Sequence, residues 1–373
     1  MSASQHGVIR MGLIGAGYMG KRHSVAMQSV GAVFNTPLRP VCEMIATSNA
    51  DSAARAGAAL GFNRHTSDWR ELVADPAVEA IVIASPQSTH REIALAALAA
   101  GKPVLCEKPL GASLQDAQAM TQAAKDSGVV AMVGFNYIRT PASVFARKLI
   151  ADGAIGELTF VRAEHTEDFL ADPESPATWR TQGDANGTLG DLAPHIINAA
   201  LALAGPIKSV FADVETVHTL RPGKNGAETV SNDDHAHALV RFERGTMGHL
   251  YFSRIATGRK MGYAYEITGT DGAIRFDQED QNALWLYTRS DEEATAGFKK
   301  ILTNPQHGDY GAFCEGPGHG TGYQDQLIIE MRDFIAAIND GTSQWPSFDD
   351  GLAVSRVVAA CRASARQQRW AEV

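Results

Sequence analysis

Apolar runs of strand length alternate with helix-periodic stretches through the first third of the chain. Val8 to Ile14 is an apolar run, and a helical segment follows from Lys21 to Gln28. Arg39 to Ala46 is a second strand, and Ala50 to Leu60 an Ala-rich helix stopped by Gly61. Ser67 or Asp68 caps the next helix, which begins around Trp69. Ala80 to Ala84 is short and wholly apolar, as expected of a strand buried on both faces. His90 to Ala100 is helical, and Val104 to Cys106 is the fourth strand, running into Glu107. Leu114 to Ser127 is a helix capped by Ser113, and Val129 to Phe135 is the fifth strand. This alternation predicts an α/β domain with a doubly wound parallel sheet over residues 1–137.

From residue 138 to 373 the rhythm changes. Pro141 to Asp152 reads as a helix and Leu158 to His165 as a strand. A Gly/Asp/Pro-rich loop carrying Trp179 and Arg180 leads to a helix from Asp191 to Ala204. Ser209 to Thr216 and His235 to Phe242 are strands, and Glu243 to Thr246 turns the latter into Met247 to Ser253. Tyr263 to Thr268 and Ala273 to Asp277 form another hairpin. The expectation is an α+β domain built on an antiparallel meander, an open, mostly antiparallel sheet whose uncovered face seeks a partner. The last helices, Tyr323 to Ile338 and Asp350 to Gln368, are free to pack back on the first domain. Asn304 to Gly322, rich in Gly, Pro and His, is the candidate for a mobile loop near the site. No internal repeat is visible.

Length and charge narrow the function. A chain of 373 residues is long for one domain. A net charge of −9, from 33 basic and 42 acidic residues, argues against nucleic acid or an anionic membrane as the main partner. The four cysteines (Cys42, Cys106, Cys314, Cys361) are far apart and suit a reducing cytoplasm rather than a disulfide framework. Met1 to His6 lacks the basic and apolar regions of a secretory signal. No apolar stretch reaches the roughly 18 residues of a membrane span.

The chemistry is concentrated at a few points. Gly15-Ala16-Gly17-Tyr18-Met19-Gly20 is a G-x-G-x-x-G set between a strand and a helix. In that setting the first glycine permits the turn and the second admits a pyrophosphate. The third lets the helix approach the strand with its positive end toward the phosphates. A Gly-rich turn without a ligand would show the same letters. Ligands of an open parallel sheet bind beyond the carboxyl ends of its strands. Ser85 to His90, Glu107 to Leu110 and Asn136 to Arg139 all fall there. Lys108 could polarise a hydroxyl or carbonyl oxygen, or stand as a solvated loop lysine. If Asp191 opens a helix, it and His195 share one face at i and i+4, where a carboxylate raises the basicity of an imidazole. The same spacing fits an N-cap aspartate and a satisfied buried histidine. Asp233-Asp234-His235-Ala236-His237 has the look of a metal cluster, but it runs straight into an alternating strand and is read as strand-entry surface. No G-x-S-x-G or Cys–His arrangement supports nucleophilic hydrolysis.

Together, Gly15-x-Gly17-x-x-Gly20, Pro86 with His90, Gly101 to Pro109 (GKPVLCEKP), Trp179-Arg180 and Gly190-Asp191 with His195 resemble the glucose–fructose oxidoreductase / inositol dehydrogenase / rhizopine-catabolism (Gfo/Idh/MocA) family. The resemblance spans the chain. Gly134-Phe135-Asn136-Tyr137-x-Arg139-Thr140-Pro141 and Gly320-x-Gly322-Tyr323 resemble the branch containing levoglucosan dehydrogenase and some inositol dehydrogenases. It implies hydride transfer between NAD or NADP and a secondary alcohol of a sugar or cyclitol, with no metal. It implies a homodimer or homotetramer formed through the C-terminal sheet. It implies Lys108, Asp191 and His195 as catalytic residues and a cis Lys108–Pro109 bond. Gly15, Ala16, Gly17, Tyr18, Met19, Gly20, Thr47, Ser48, Ser85, Pro86, His90, Glu107, Lys108 and Asn136 would line the cofactor. Tyr137, Arg180 and Tyr323, with Lys108, Asp191 and His195, would meet the substrate. Two other functions share the family: an NAD-dependent glycosidase and a cofactor-sensing regulator. Two departures stand out. Thr47-Ser48-Asn49 replaces the acidic residue that would bind a ribose 2′-OH, which opens the way to NADP with Lys21 or Arg22 near its phosphate. Asn198 stands where many relatives carry Asp.

Overall fold

A computed structural model describes residues 7–373. Met1–His6, read above for a secretory signal, lies outside them. The chain divides into two compact units: Met1–Asn136 with Gly322–Ala353, and Tyr137–Thr321 with Val354–Val373.

The first unit opens with β1 (Gly7–Ile14), α1 (Tyr18–Phe34), β2 (Leu38–Ala46), α2 (Ala50–Leu60), β3 (Arg64–Thr66) and α3 (Trp69–Ala74). It continues through β4 (Ala80–Ile83), α4 (His90–Ala99), β5 (Val104–Glu107), α5 (Leu114–Ser127) and β6 (Ala131–Gly134). Its six strands lie in the order β3-β2-β1-β4-β5-β6, every pair parallel. The order reverses between β1 and β4, the switch point where such sheets bind ligands. Strand β3 is absent from the sequence expectation because its three partly exposed residues carry no readable period. Helix α1 starts earlier and runs further than expected, since Met27 and Val30 continue its buried stripe to a left-handed Asn35.

The second unit contains α6 (Pro141–Ala151), β7 (Leu158–Thr166), α7 (Thr188–Asp191), α8 (Ala193–Ala204) and β8 (Ile207–Glu215). Then come β9 (Leu220–Gly223), β10 (Gly226–Thr229), β11 (His235–Phe242), β12 (Met247–Ser253), β13 (Gly262–Gly269), β14 (Gly272–Asp277), β15 (Ala283–Thr288), β16 (Lys299–Leu302) and α9 (Tyr310–Phe313). The chain ends with α10 (Tyr323–Asp340), α11 (Phe348–Gln367) and β17 (Ala371–Glu372). In the first unit, α10 packs along α1.

The large sheet is not a simple meander. Its order is β16-β15-β14-β13-β7-β12-β11-β8-β17, and β7 runs parallel to β12. The early strand β7 therefore separates two later hairpins that add on either side of it. Helices α6 and α8 cover one face. On the other, β11 presents His235, His237, Leu239 and Arg241, while Ala236, Ala238, Val240 and Phe242 point inward. Phe160 and Met247 are paired and exposed on that outer face. The segment expected to be a mobile loop is tied internally. The buried Tyr310 donates its hydroxyl to Gly316 O and accepts from Gly320 N, and Asn282 grips both sides of Thr321. Among the described residues, no helix is long and apolar enough to cross a membrane, and the four cysteines are free.

Candidate active site

The glycine turn is built by close approach. Gly15 has φ of 101°, a region that favours glycine, and a Cβ there would lie 2.5 Å from Ala84 O. A Cβ on Gly20 would lie 2.0 Å from Gly15 O, so α1 and the turn touch backbone to backbone. Gly17 differs: a Cβ on it meets nothing within 4 Å. It is the N-cap of α1, and no side chain caps that end. The first-turn N–H groups and the space above Gly17 thus fit a pyrophosphate, which would sit on the positive helix end.

At the end of β2, Thr47 donates to Asn49 O and touches Ser52 Oγ, while Asn49 Oδ1 accepts from Ser52 N and caps α2. No carboxylate stands at positions 47–49, and Ser48 is exposed. Arg22 stacks on the Tyr18 ring at 5.2 Å and bonds Gln324, so it faces α10; Lys21 is exposed. Tyr323, expected among the substrate residues, lies in this first unit against the glycine turn. Its hydroxyl is 3.3 Å from Met19 Sδ and its ring 6.0 Å from that of Tyr18. The packing of α10 on α1 puts it there.

The ends of β4, β5 and β6 carry the remaining expected cofactor residues. Ser85 Oγ pairs with Thr89 Oγ1 at 2.7 Å, and Pro86 is exposed. His90 is buried, with Nδ1 3.0 Å from Pro109 O and Nε2 2.9 Å from Ser85 O. It clamps two loops together, and its ring is spent inside the unit. Burial pushes its pKa down, only partly offset by those carbonyls. Glu107 is likewise buried, its carboxylate held by His23. Lys108, half-buried, follows it, and the Lys108–Pro109 peptide is cis, as the resemblance implies. The buried Asn136 donates to Gln326 Oε1 at 2.9 Å.

In the second unit His195 sits in an aromatic cluster. Its ring lies 4.4 Å from Tyr137 and 5.4 Å from His165, and Tyr263 stands 5.2 Å from Tyr137. His165 donates from Nδ1 to Leu192 O at 2.9 Å and faces Glu167 through Nε2. Asp191 does not open a helix. It closes the short α7, and Leu192 separates it from α8, where Pro194 occupies the first turn. Arg180 Nε lies 3.9 Å from Asp191 Oδ2, and its guanidinium covers the exposed Trp179 ring at 4.2 Å. Asn198 is buried in α8, and its Oδ1 has no hydrogen-bond partner.

The aspartates read as strand-entry surface are buried supports of this loop. Asp233 Oδ2 accepts from Leu189 N at 2.6 Å. Asp234 pairs with the buried Arg254 at 2.9 Å. Arg254 in turn donates to Arg180 O, Asn186 O and Asn232 Oδ1. The sequence showed the hairpin but not its register: in the folded hairpin His235 pairs with Ser253, so one further step sets Asp234 opposite Arg254. His165, Glu167 and Asn232 carried no signal. His235 and His237 do lie on the sheet face, against Glu215 and His249.

Residues 9–135 match the oxidoreductase family with an NAD-binding Rossmann fold, and residues 144–275 match the GFO/IDH/MocA C-terminal domain. The chain belongs to the Gfo/Idh/MocA oxidoreductases. It is 38% identical to the levoglucosan dehydrogenase of Pseudarthrobacter phenanthrenivorans, over 98% of each chain. It is 28% identical to the inositol 2-dehydrogenase of Rhizobium meliloti, over 97% of this chain and 98% of that one. A solved levoglucosan dehydrogenase in complex with NADH and levoglucosan superposes with a TM-score of 0.95 at 39% identity, covering 98% of this chain and 99% of the other. This Gfo/Idh/MocA member is thus an NAD-binding oxidoreductase, with a six-stranded parallel sheet and a mixed, mostly antiparallel one.

Proposed function

We propose that the chain is an NAD(P)-dependent dehydrogenase acting on a secondary alcohol of a sugar, anhydrosugar or inositol. The observation that carries this substrate class is the identity of 38%, nearly end to end, with levoglucosan dehydrogenase. Bound NAD(P) supplies the acceptor for the carbinol hydride, so that a C=O forms as the hydroxyl gives up its proton. His195 takes that proton at its imidazole. Asp191 steadies the charge that the imidazole gains, and Arg180 balances Asp191. Lys108 holds the reacting oxygen and stabilises the charge that develops on it. Tyr137 and Arg180 meet substrate hydroxyls. The rings of Tyr137 and His165, which lie against His195, keep water from it. Gly15 to Gly20, Thr47, Ser48, Ser85, Pro86 and Asn136 line the dinucleotide, with His90 and Glu107 fixing the loops behind it.

We place the enzyme in the cytoplasm, where its free thiols are stable. It assembles as a dimer or tetramer through the outer sheet face, on which Phe160, Leu239 and Met247 are exposed. Formation of reduced cofactor, screened over anhydrosugars, inositols and monosaccharides, tests the activity. Lys108→Ala should lower turnover at least about a hundredfold. Full turnover in that variant would overturn the assignment.

A further inference from the structure

Three elements of the first unit bring charged side chains to one buried point. His23 of α1 is 1% exposed, Glu107 at the end of β5 is 7% exposed, and Glu330 of α10 is 0% exposed. Their nitrogen and oxygen atoms lie within 4.8 Å of one another. His23 Nε2 is 2.7 Å from Glu107 Oε1, and Lys108 N donates to Glu107 Oε2 at 3.2 Å. The carboxylate packs over Gly134, where a Cβ would come within 3.3 Å of Oε1. Two ligands of one tetrahedral ion, with bonds of about 2.0–2.2 Å, stand roughly 3.3 Å apart. A separation of 2.7 Å is instead that of a charge-assisted hydrogen bond.

We propose that His23, Glu107 and Glu330 form a buried charge triad that sets the Lys108 backbone against the glycine-turn helix, making Glu107 a positioning residue for Lys108. The inference rests on the role given to Lys108 above. Two buried carboxylates need a compensating cation. The His23 imidazolium supplies it. Burial lowers the pKa of His23, but the Glu107 hydrogen bond and the charges of Glu107 and Glu330 outweigh it, and the net direction is upward from 6.5. The other titratable groups facing Glu107 are His90 of α4 and the buried Cys106 of β5. The stability that the imidazolium contributes is therefore fully present below 6.5 and is lost as pH rises through the higher folded value. One Glu107 oxygen holds His23 and the other holds the Lys108 N–H, so a change at His23 or Glu330 is transmitted to Lys108.

Two measurements on the full chain test this. The first follows the histidine side-chain nitrogens of ¹⁵N-labelled protein from about pH 5 to about 9, with His23 assigned through His23→Gln. His23 should be doubly protonated at neutral pH and should titrate at lower pH in Glu330→Gln. A neutral His23 at pH 7, or no shift in Glu330→Gln, overturns the triad. The second compares Glu107→Gln with Lys108→Ala. Glu107→Gln should lower kcat roughly tenfold or more while the KM for the alcohol changes little. Full kcat in Glu107→Gln beside an inactive Lys108→Ala overturns the positioning role alone. An active Lys108→Ala overturns the proposed catalytic function, and the histidine titration still decides the triad. If Glu107→Gln does not fold, Glu330→Gln, which keeps the His23–Glu107 pair, takes its place, and unchanged kcat across its pH profile counts against positioning.

Discussion

Replacing Gly17 by alanine should separate ligand binding from folding at the glycine turn. Gly17 has φ of −70° and ψ of −163°, extended backbone open to any residue. Its new Cβ would meet nothing within 4 Å. Gly→Ala at such a position stabilises a fold by about 0.4–1 kcal/mol, because the unfolded chain loses freedom. The melting temperature should thus hold or rise slightly. The dinucleotide should feel the methyl, since it occupies the space through which a pyrophosphate reaches the first-turn N–H groups. A hydrogen bond to a charged group is worth about 1.5–3 kcal/mol. Losing one weakens binding roughly 10- to 150-fold. Gly20→Ala is the counterpart. Its Cβ would sit 2.0 Å from Gly15 O, a backbone atom that cannot swing away. It should cost at least the roughly 1–3 kcal/mol of an overpacked core. NADH titration by fluorescence and thermal unfolding, run on the same preparations, give both readings. An unchanged NADH Kd in Gly17→Ala, or a drop of several degrees in its melting temperature, would refute the reasoning.

Two further outcomes are expected. Thr47→Asp puts a carboxylate just after β2 and should weaken NADP relative to NAD by roughly tenfold or more; equal NADP affinities before and after would mean that the ribose lies elsewhere. Arg254→Ala leaves the fully buried Asp234 without its cation and should destabilise the chain by about 3–5 kcal/mol in urea unfolding, whereas a loss under about 1 kcal/mol would remove the pair from the loop's support.

Local periodicity carried most of the first unit. Ala50–Leu60 and Leu114–Ser127 begin and end where their caps, Asn49, Gly61, Ser113 and Gly128, place them. Such signals are local, and the chain alone holds them. The glycine turn and the run into Glu107-Lys108-Pro109 were legible for the same reason: each is one contiguous strand-to-loop passage. The insertion of β7 between β12 and β13 was not legible, because period-2 alternation says which face a residue takes and nothing about which strand is its neighbour. The burial of Asp233 and Asp234 depends on Arg254 closing over them, a pairing that exists only once the hairpin register is formed. The triad is the extreme case. His23, Glu107 and Glu330 are distant in sequence, and nothing in the sequence around any one of them points to the other two. Glu330 joins the His23–Glu107 pair only through the return of α10 to the first unit, which no periodicity in the intervening chain announces.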